Sequence, residues 1–468
     1  MKIVIKKTIR QLVVTCTFLI HYNCVFAQVK ATYSLANLVD SAKTHLPVLL
    51  QKQALINSAK ANVTDARNSF LPKLNVVDEL SIGSANDVEG SFMPIGGISR
   101  GISSSIRGSN NYTAQTGNLA SVYAEYDLVN FGLRGAKVDN AVAYADLQQA
   151  DFDKEVYVIK LQIGKLYFNI LKNIYQLHID EQNINRYQSV TSIIKALTGS
   201  GIKAGVDSSL AKAELSKIKV SYNQREGEIR QSIQQLSFYT GINATKINVD
   251  TLRKDDEVTA AKLFSKMADT VNNPLIDYFN KQKNLYQTNE TLVGKSYLPK
   301  IVVGGGGWAR GSSIQYNDNY GPLNGGLGLQ RYNYIAGVGI TYDLFNITHR
   351  RDKLVVNRYQ TQAAGYDLQQ QKLALSNANA QADEAIITAQ KNLAELPVQL
   401  LAATDAYNQK VAQYKAGVIN LIDLTTASFV LYSAQLNYVE TLNDWYVANL
   451  DKAASTGNLD LFIQTIKN

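Results

Sequence analysis

The sequence predicts a mainly α-helical protein with a small β part, built as two tandem copies of one plan: long coiled-coil helices plus a β-hairpin. Three observations carry this. The stretch "YDLVNFGLRG" at 126–135 recurs as "YDLFNITHRR" at 342–351, with the tyrosines 216 residues apart. Apolar residues alternate up to each stretch and take helical spacing after it. The helical spacing then persists far beyond the ~11–12 residues of an average globular helix.

In chain order, the first element is not part of that fold. Lys2, Lys6, Lys7 and Arg10 precede the apolar run "QLVVTCTFLI", and Val25 and Ala27 end it as a cleavage site would. Residues 1–27 therefore read as a secretory signal peptide. The cysteines, Cys16 and Cys24, both fall inside it, so a chain starting at Gln28 needs no disulfide and binds no metal through thiolate. Losing four cations and no anions takes the net charge from +8 to +4, too mild a balance to imply nucleic acid. No later apolar run reaches the ~18 residues of a spanning helix.

Two repeats follow, at 28–250 and 251–468. Pro47 pairs with Pro274 and Pro72 with Pro299, so "FLPKL" matches "YLPKI" at an offset of 227. Downstream the offset falls to 216: Gly201 pairs with Gly417, Asp207 with Asp423 and Ala211 with Ala427, sharing the pattern G-x5-D-x3-A. The first copy thus carries eleven more residues between "LPK" and "YDL". That interval is Gly/Ser/Asn-rich in both copies, as a loop should be. The stretch "GINATKINVDTLRKDDEV" joins the halves.

Each repeat should open with a helix from Pro47 to Phe70 or its counterpart, the proline sitting where a missing N–H costs little. A strand follows "LPK", through "LNVVDELSI" and "IVVGGGGWA". A second strand leads into "YDL". There Val122, Ala124, Tyr126 and Leu128 share one face, with Ser121, Tyr123, Glu125 and Asp127 on the other. In the second copy Val338, Ile340, Tyr342 and Leu344 repeat the apolar face, and Asp343 the polar one. Four strands cannot close a barrel, since the smallest transmembrane barrels need about eight. A membrane also tolerates no unpaired sheet edge. A barrel shared between subunits reconciles the two, with apolar residues toward lipid and Glu125, Asp127 and Asp343 toward water.

After "YDL", Val156, Ile159, Ile163, Leu166, Ile170, Ile174 and Leu177 step by three and four, a packed seam. A helix from Gly132 to about Gly199 would be ~100 Å long. The return helix from Asp207 to Thr240 and the helix from Pro47, laid end to end, would span ~87 Å beside it. Ala378, Ala382, Ala385 and Ala389, then Leu393, Leu396 and Leu400, give the second copy its seam.

Enzyme chemistry finds no footing. His45, His178 and His349 have no ligand spacing, "GKS" at 294–296 lacks the first glycine of a phosphate loop, and the glycine run at Gly304 begins no helix. No cofactor or metal is expected. A secreted coiled-coil scaffold or adhesin without a pore would explain the seams but not two symmetrically placed amphipathic hairpins.

The paired P-x24-P segments ending in "LPK", the paired "YDL" strand ends and the paired G-x5-D-x3-A turns together resemble the TolC-like outer membrane efflux proteins, across the whole chain after the leader. The resemblance implies a homotrimer. Three subunits would form a 12-stranded outer-membrane barrel continuous with a periplasmic α-helical barrel, the exit duct of a tripartite efflux or type I secretion system. It implies a periplasmic membrane-fusion adaptor and an inner-membrane pump as partners, and the outer membrane of a Gram-negative bacterium as location. The tips at Gly201, Gly205, Gly417 and Val418 would contact the adaptor. Asp423 and Asp207 would face the pore, and Tyr414 matches a latch tyrosine. Two departures stand out: Ile419 replaces an arginine of the family pattern and Thr426 a second pore aspartate. Lys203 and Lys415 are the candidate substitutes for that arginine.

Overall fold

The computed structural model describes residues 32–84, 86, 108–199, 205–249, 273–316 and 319–466. The leader, Gly201 and Lys203 lie outside them, as does most of the first glycine-rich loop.

Two compact units are interleaved along the chain. One comprises residues up to 54 with 149–279 and 367–468; the other comprises 55–148 and 280–366. Each therefore draws on both halves of the sequence.

The first unit is helical. Strand β1 (Thr32–Tyr33) and helix α1 (Leu35–His45) open it, with Ser34 capping α1 by accepting from the Asn37 amide. Helix α2 (Pro47–Asn68) starts on its proline. Helix α3 runs 67 residues, Leu133–Gly199, and helix α4 returns over Gly205–Thr240. Strand β4 (Asn248–Val249) pairs in parallel with β1. In the second half, α5 is Pro274–Ser296, α6 is Asn346–Lys415, α7 is Leu421–Thr456 and α8 is Leu459–Thr465. Pro397 lies inside α6, which continues through it although proline supplies no amide hydrogen there.

The core of this unit gathers α1, α3, α7 and α8. The Phe168 ring stacks on Tyr446 at 5.2 Å and meets Phe462 edge-on at 6.1 Å. Gly457, at φ 85°, ends α7 in the left-handed region that glycine enters without strain, and α8 folds back at once. The Tyr157 hydroxyl donates to the Ala454 carbonyl at 2.7 Å, and Lys160 pairs with Asp460 at 2.5 Å. Helices α1 and α8 and the β1–β4 pair are additions to the plan read from the sequence.

The second unit holds an antiparallel sheet in the order β2-β3-β5-β8, with β2 Lys73–Gly83, β3 Gln115–Val129, β5 Lys300–Ser312 and β8 Arg331–Thr341. Short strands β6 (Ile314–Gln315) and β7 (Asn319–Tyr320) pair within the connection from β5 to β8. Strands β2–β3 and β5–β8 are the two predicted hairpins, joined edge to edge through β3 and β5. Strand β8 stops earlier than its alternation suggests. Tyr342, Asp343 and Leu344 lie past its end, because its partner β5 begins at Lys300, opposite Thr341. Strand β3 reaches Val129 because β5 still pairs with it there, across a bulge at Leu128.

The glycine run sits mid-strand. A Cβ on Gly304 would lie 2.5 Å from the Tyr123 hydroxyl and one on Gly306 3.1 Å from the Tyr123 ring, so the glycines make room for that side chain.

Candidate functional site

Two regions concentrate the residues singled out by sequence: the turns between the long helices, and the sheet.

At the second turn, α6 delivers Tyr407, Val411 and Tyr414 along one stripe at i, i+4 and i+7. Tyr414 is fully buried against Val190 and Ile194 of α3, Ala211 of α4 and Leu421 and Leu424 of α7, so one side chain ties both helical hairpins together. Burial first, and then the nearby Asp207 charge, push the Tyr414 hydroxyl pKa upward. Asp207 itself is half-buried in the first turn of α4, where a carboxylate suits the positive end of the helix dipole.

The turn is closed by backbone geometry. Gly417 adopts φ 75°, and the Val418 amide donates to the Gln413 carbonyl at 3.0 Å, the six-to-one bond of a helix-ending motif. Asn420 caps α7, its side chain accepting from the Asp423 amide at 2.9 Å. The capping role thus belongs to Asn420, and Asp423 stands exposed three residues on. Ile419, at the position of the family arginine, is partly buried against the Tyr414 cluster. The Thr426 hydroxyl donates to Ile422 in its own helix. Lys415 is exposed in the last turn of α6, at the negative end of the helix. Val418, Ile422 and Val206 are exposed apolar side chains of the two turns, and Gly205 is the first residue of α4.

Farther along the same helices lies a polar node that the sequence does not announce. Asp180 of α3 is fully buried. It accepts from Arg225 Nε of α4 at 2.7 Å and from the Tyr432 hydroxyl of α7 at 2.6 Å, and Arg225 also donates to Gln176. Burial, together with the Asp180 carboxylate it donates to, pushes the Tyr432 pKa up to about 12. Arg186 of α3 forms a second node, donating to Gln435 at 3.1 Å with its guanidinium 5.8 Å from the Tyr407 ring. One signal for Asp180 is available: it falls three residues after Leu177, on the apolar seam of α3.

On the sheet, the pairing register sorts side chains onto two faces. Leu74, Val76, Leu80 and Ile82 of β2 share a face with Val122 and Ala124 of β3, Val303 of β5, and Tyr332, Tyr334, Val338 and Ile340 of β8. Lys73, Glu79, Glu125, Asp127, Lys300, Arg310 and Arg331 share the other, and Asp78 is the one charged strand residue on the apolar side. Glu125 and Asp127 thus lie on the charged face, where Asp127 approaches Lys300 at 3.7 Å. Asp343 does not belong to either face: past the end of β8, its carboxylate accepts from the Phe345 amide at 2.9 Å and its carbonyl from Asn346, shaping the entry to α6. Among the described residues no helix is long and apolar enough to cross a membrane.

The sequence matches the family described as OEP, outer membrane efflux protein, over residues 38–242 and 270–458. No curated protein matches it. Among solved structures it is similar to the outer membrane protein VceC from Vibrio cholerae at 13% identity and TM-score 0.72, covering 90% of this chain and 96% of that one. It is similar to the CmeC outer membrane channel of Campylobacter jejuni at 12% identity and TM-score 0.70, covering 91% and 86%. The open state of the MtrE outer membrane channel of Neisseria gonorrhoeae gives 16% identity and TM-score 0.65, covering 91% and 89%. At such identities the likeness speaks for the fold, and the family match over both halves speaks for the rest: the chain belongs to the outer membrane efflux protein family and is an outer-membrane efflux channel.

Proposed function

We propose that the chain is one third of a passive exit duct. Its four strands would join those of two further copies in a 12-stranded barrel, and its helices would form a tunnel through the periplasm of a Gram-negative cell. The carrying observation is the sheet itself. It ends in two open edges, β2 and β8, and exposes an apolar face opposite a charged one. Unpaired edges are not tolerated in lipid, so closure requires other copies. The matching order of elements after Pro47 and after Pro274 supports two duplicated halves, 28–250 and 251–468.

In this reading Glu125 and Asp127 line the barrel lumen, with Asp343 at its helical end. The turns at Gly201, Gly205, Gly417 and Val418 receive a periplasmic adaptor, which couples the duct to an inner-membrane pump that spends the energy. Tyr414 and Asp207 hold the helix ends together in the closed state. Lys203 or Lys415 supplies the cation that Ile419 does not. Asp423 from three copies forms a ring at the pore. Charges ~4 Å apart interact by ~1 kcal/mol in water and several-fold more in a less polar pore, so the ring should favour cations.

Bilayer recording tests this directly. The purified trimer should conduct with a cation-selective reversal potential, and Asp423→Asn should shift that potential toward zero. A detergent-free, soluble monomer that carries no current would remove the reading and leave the pore-less scaffold.

A further inference from the structure

The connection from β5 to β8 does not extend freely from the sheet. Its segment Gly321–Gln330, "GPLNGGLGLQ", lies back against the ends of β3 and β5. The Thr116 hydroxyl donates to the Leu323 carbonyl, and the Asn118 side chain donates to the Leu327 carbonyl at 2.8 Å. Gln330 donates to the carbonyls of Gly325, at 2.9 Å, and Ser312, at 3.1 Å. Close approach depends on glycine: a Cβ on Gly311 would collide with the Gly328 carbonyl, and one on Gly326 with Thr116.

The face it covers is identified by the register. Asn118 pairs with Gly311, and both share the pleat side of Val122, Val338 and Tyr334, the apolar side of the sheet. The segment therefore folds over the apolar face and not over the charged one. Its sequence has no charged residue, and Leu323, Leu327 and Leu329 are 44%, 49% and 39% exposed. Backbone carbonyls are turned toward strand side chains that satisfy them, while leucines are left uncovered. That is the arrangement an apolar boundary selects, because carbonyls without donors are costly in lipid and apolar side chains are not.

We propose that this segment is a lipid-contacting foot on the outside of the barrel, its leucines seated among the acyl chains of the outer leaflet. The proposal rests on the reading of the apolar face as lipid-facing and adds to it where this connection goes: outward onto the membrane, not inward across the lumen. Tyr332 and Tyr334, on the same face at the start of β8, stand where an aromatic girdle would.

The chain from Gln28 onward has no cysteine, so single-cysteine variants of the full trimer can carry an environment-sensitive fluorophore at one site. Leu327→Cys and Val338→Cys would each be labelled and reconstituted into phosphatidylcholine–phosphatidylglycerol vesicles holding spin-labelled lipids, with the nitroxide either shallow or deep. The expected result is loss of Leu327-site emission with the shallow quencher and of Val338-site emission with the deep one. Quenching at the Val338 site with none at the Leu327 site would overturn the foot while keeping the lipid-facing sheet. No quenching at either site would overturn both.

Discussion

The helical unit and the sheet unit solve opposite problems. Among the helices, a carboxylate goes inside: Asp180 has no exposed surface and is held by Arg225 and Tyr432, while Phe168, Tyr446 and Phe462 fill the core around α3. In the sheet the apolar residues go outside, with Val76 and Ile340 each 72% exposed and Tyr334 91% exposed. Exposed apolar surface on that scale is a defect in water. The same chain thus carries two solvent assignments, and residue type alone does not reveal which rule governs a position.

Breaking the helical side of the comparison should have the larger effect. Asp180→Ala leaves the Arg225 guanidinium buried without its carboxylate, and losing one partner of such a pair costs about 3–5 kcal/mol. Denaturant unfolding of the detergent-solubilised protein measures it, and a loss comparable to that of a surface ion pair would show that the node is not buried in the assembly.

On the sheet, Val338→Arg replaces an exposed side chain, which in water would cost almost nothing. In the middle of a bilayer it should cost about 2–4 kcal/mol, read as reduced yield of the heat-resistant oligomer, whereas Ser121→Arg on the charged face should be tolerated. Equal tolerance of the two arginines would erase the distinction between the faces.

Gly417→Ala sharpens the view of the turn. At φ 75° an alanine is strained by roughly 1–2 kcal/mol, so the melting temperature should fall modestly and the frequency of channel opening should rise.

The smallest effect is one of pH. The Tyr432 proton is held in the folded state up to about pH 12 but leaves an unfolded chain near its ordinary value of 10.0. Its contribution is present in full below pH ~10 and is lost as pH rises toward ~12. Tyr432→Phe should flatten that alkaline decline.

Long-range periodicity makes most of the fold legible. The seam from Val156 to Leu177 and the glycines at 132 and 199 place α3 within a residue of its observed start at Leu133. The strands expected after "LPK", at 74–82 and 301–309, compare with observed spans of 73–83 and 300–312. Short elements are not legible, because their order comes from tertiary contact and not from local preference. The seven residues of α8 are too few to be helical alone, and they hold by burying Leu459, Phe462 and Ile463. Of the candidate site, Tyr414 and Asp207 come together as the paired turns imply, whereas Asp343 lies beyond its strand because β5 offers no further partner. Asp180 is hidden by its own seam: a lone charge among apolar positions becomes meaningful once Arg225 and Tyr432 are seen to reach it.

The strand order has a kinetic consequence. Because β3 pairs with β5, with Val129 opposite Ile301, the central seam of the sheet must wait until the long helical excursion between them has emerged and folded back. Contacts so distant along the chain form slowly, and loop closure must be met before they stabilise anything. Until then the β2–β3 hairpin carries a raw, apolar edge, so the newly exported chain should depend on holdase protection during its passage to the membrane.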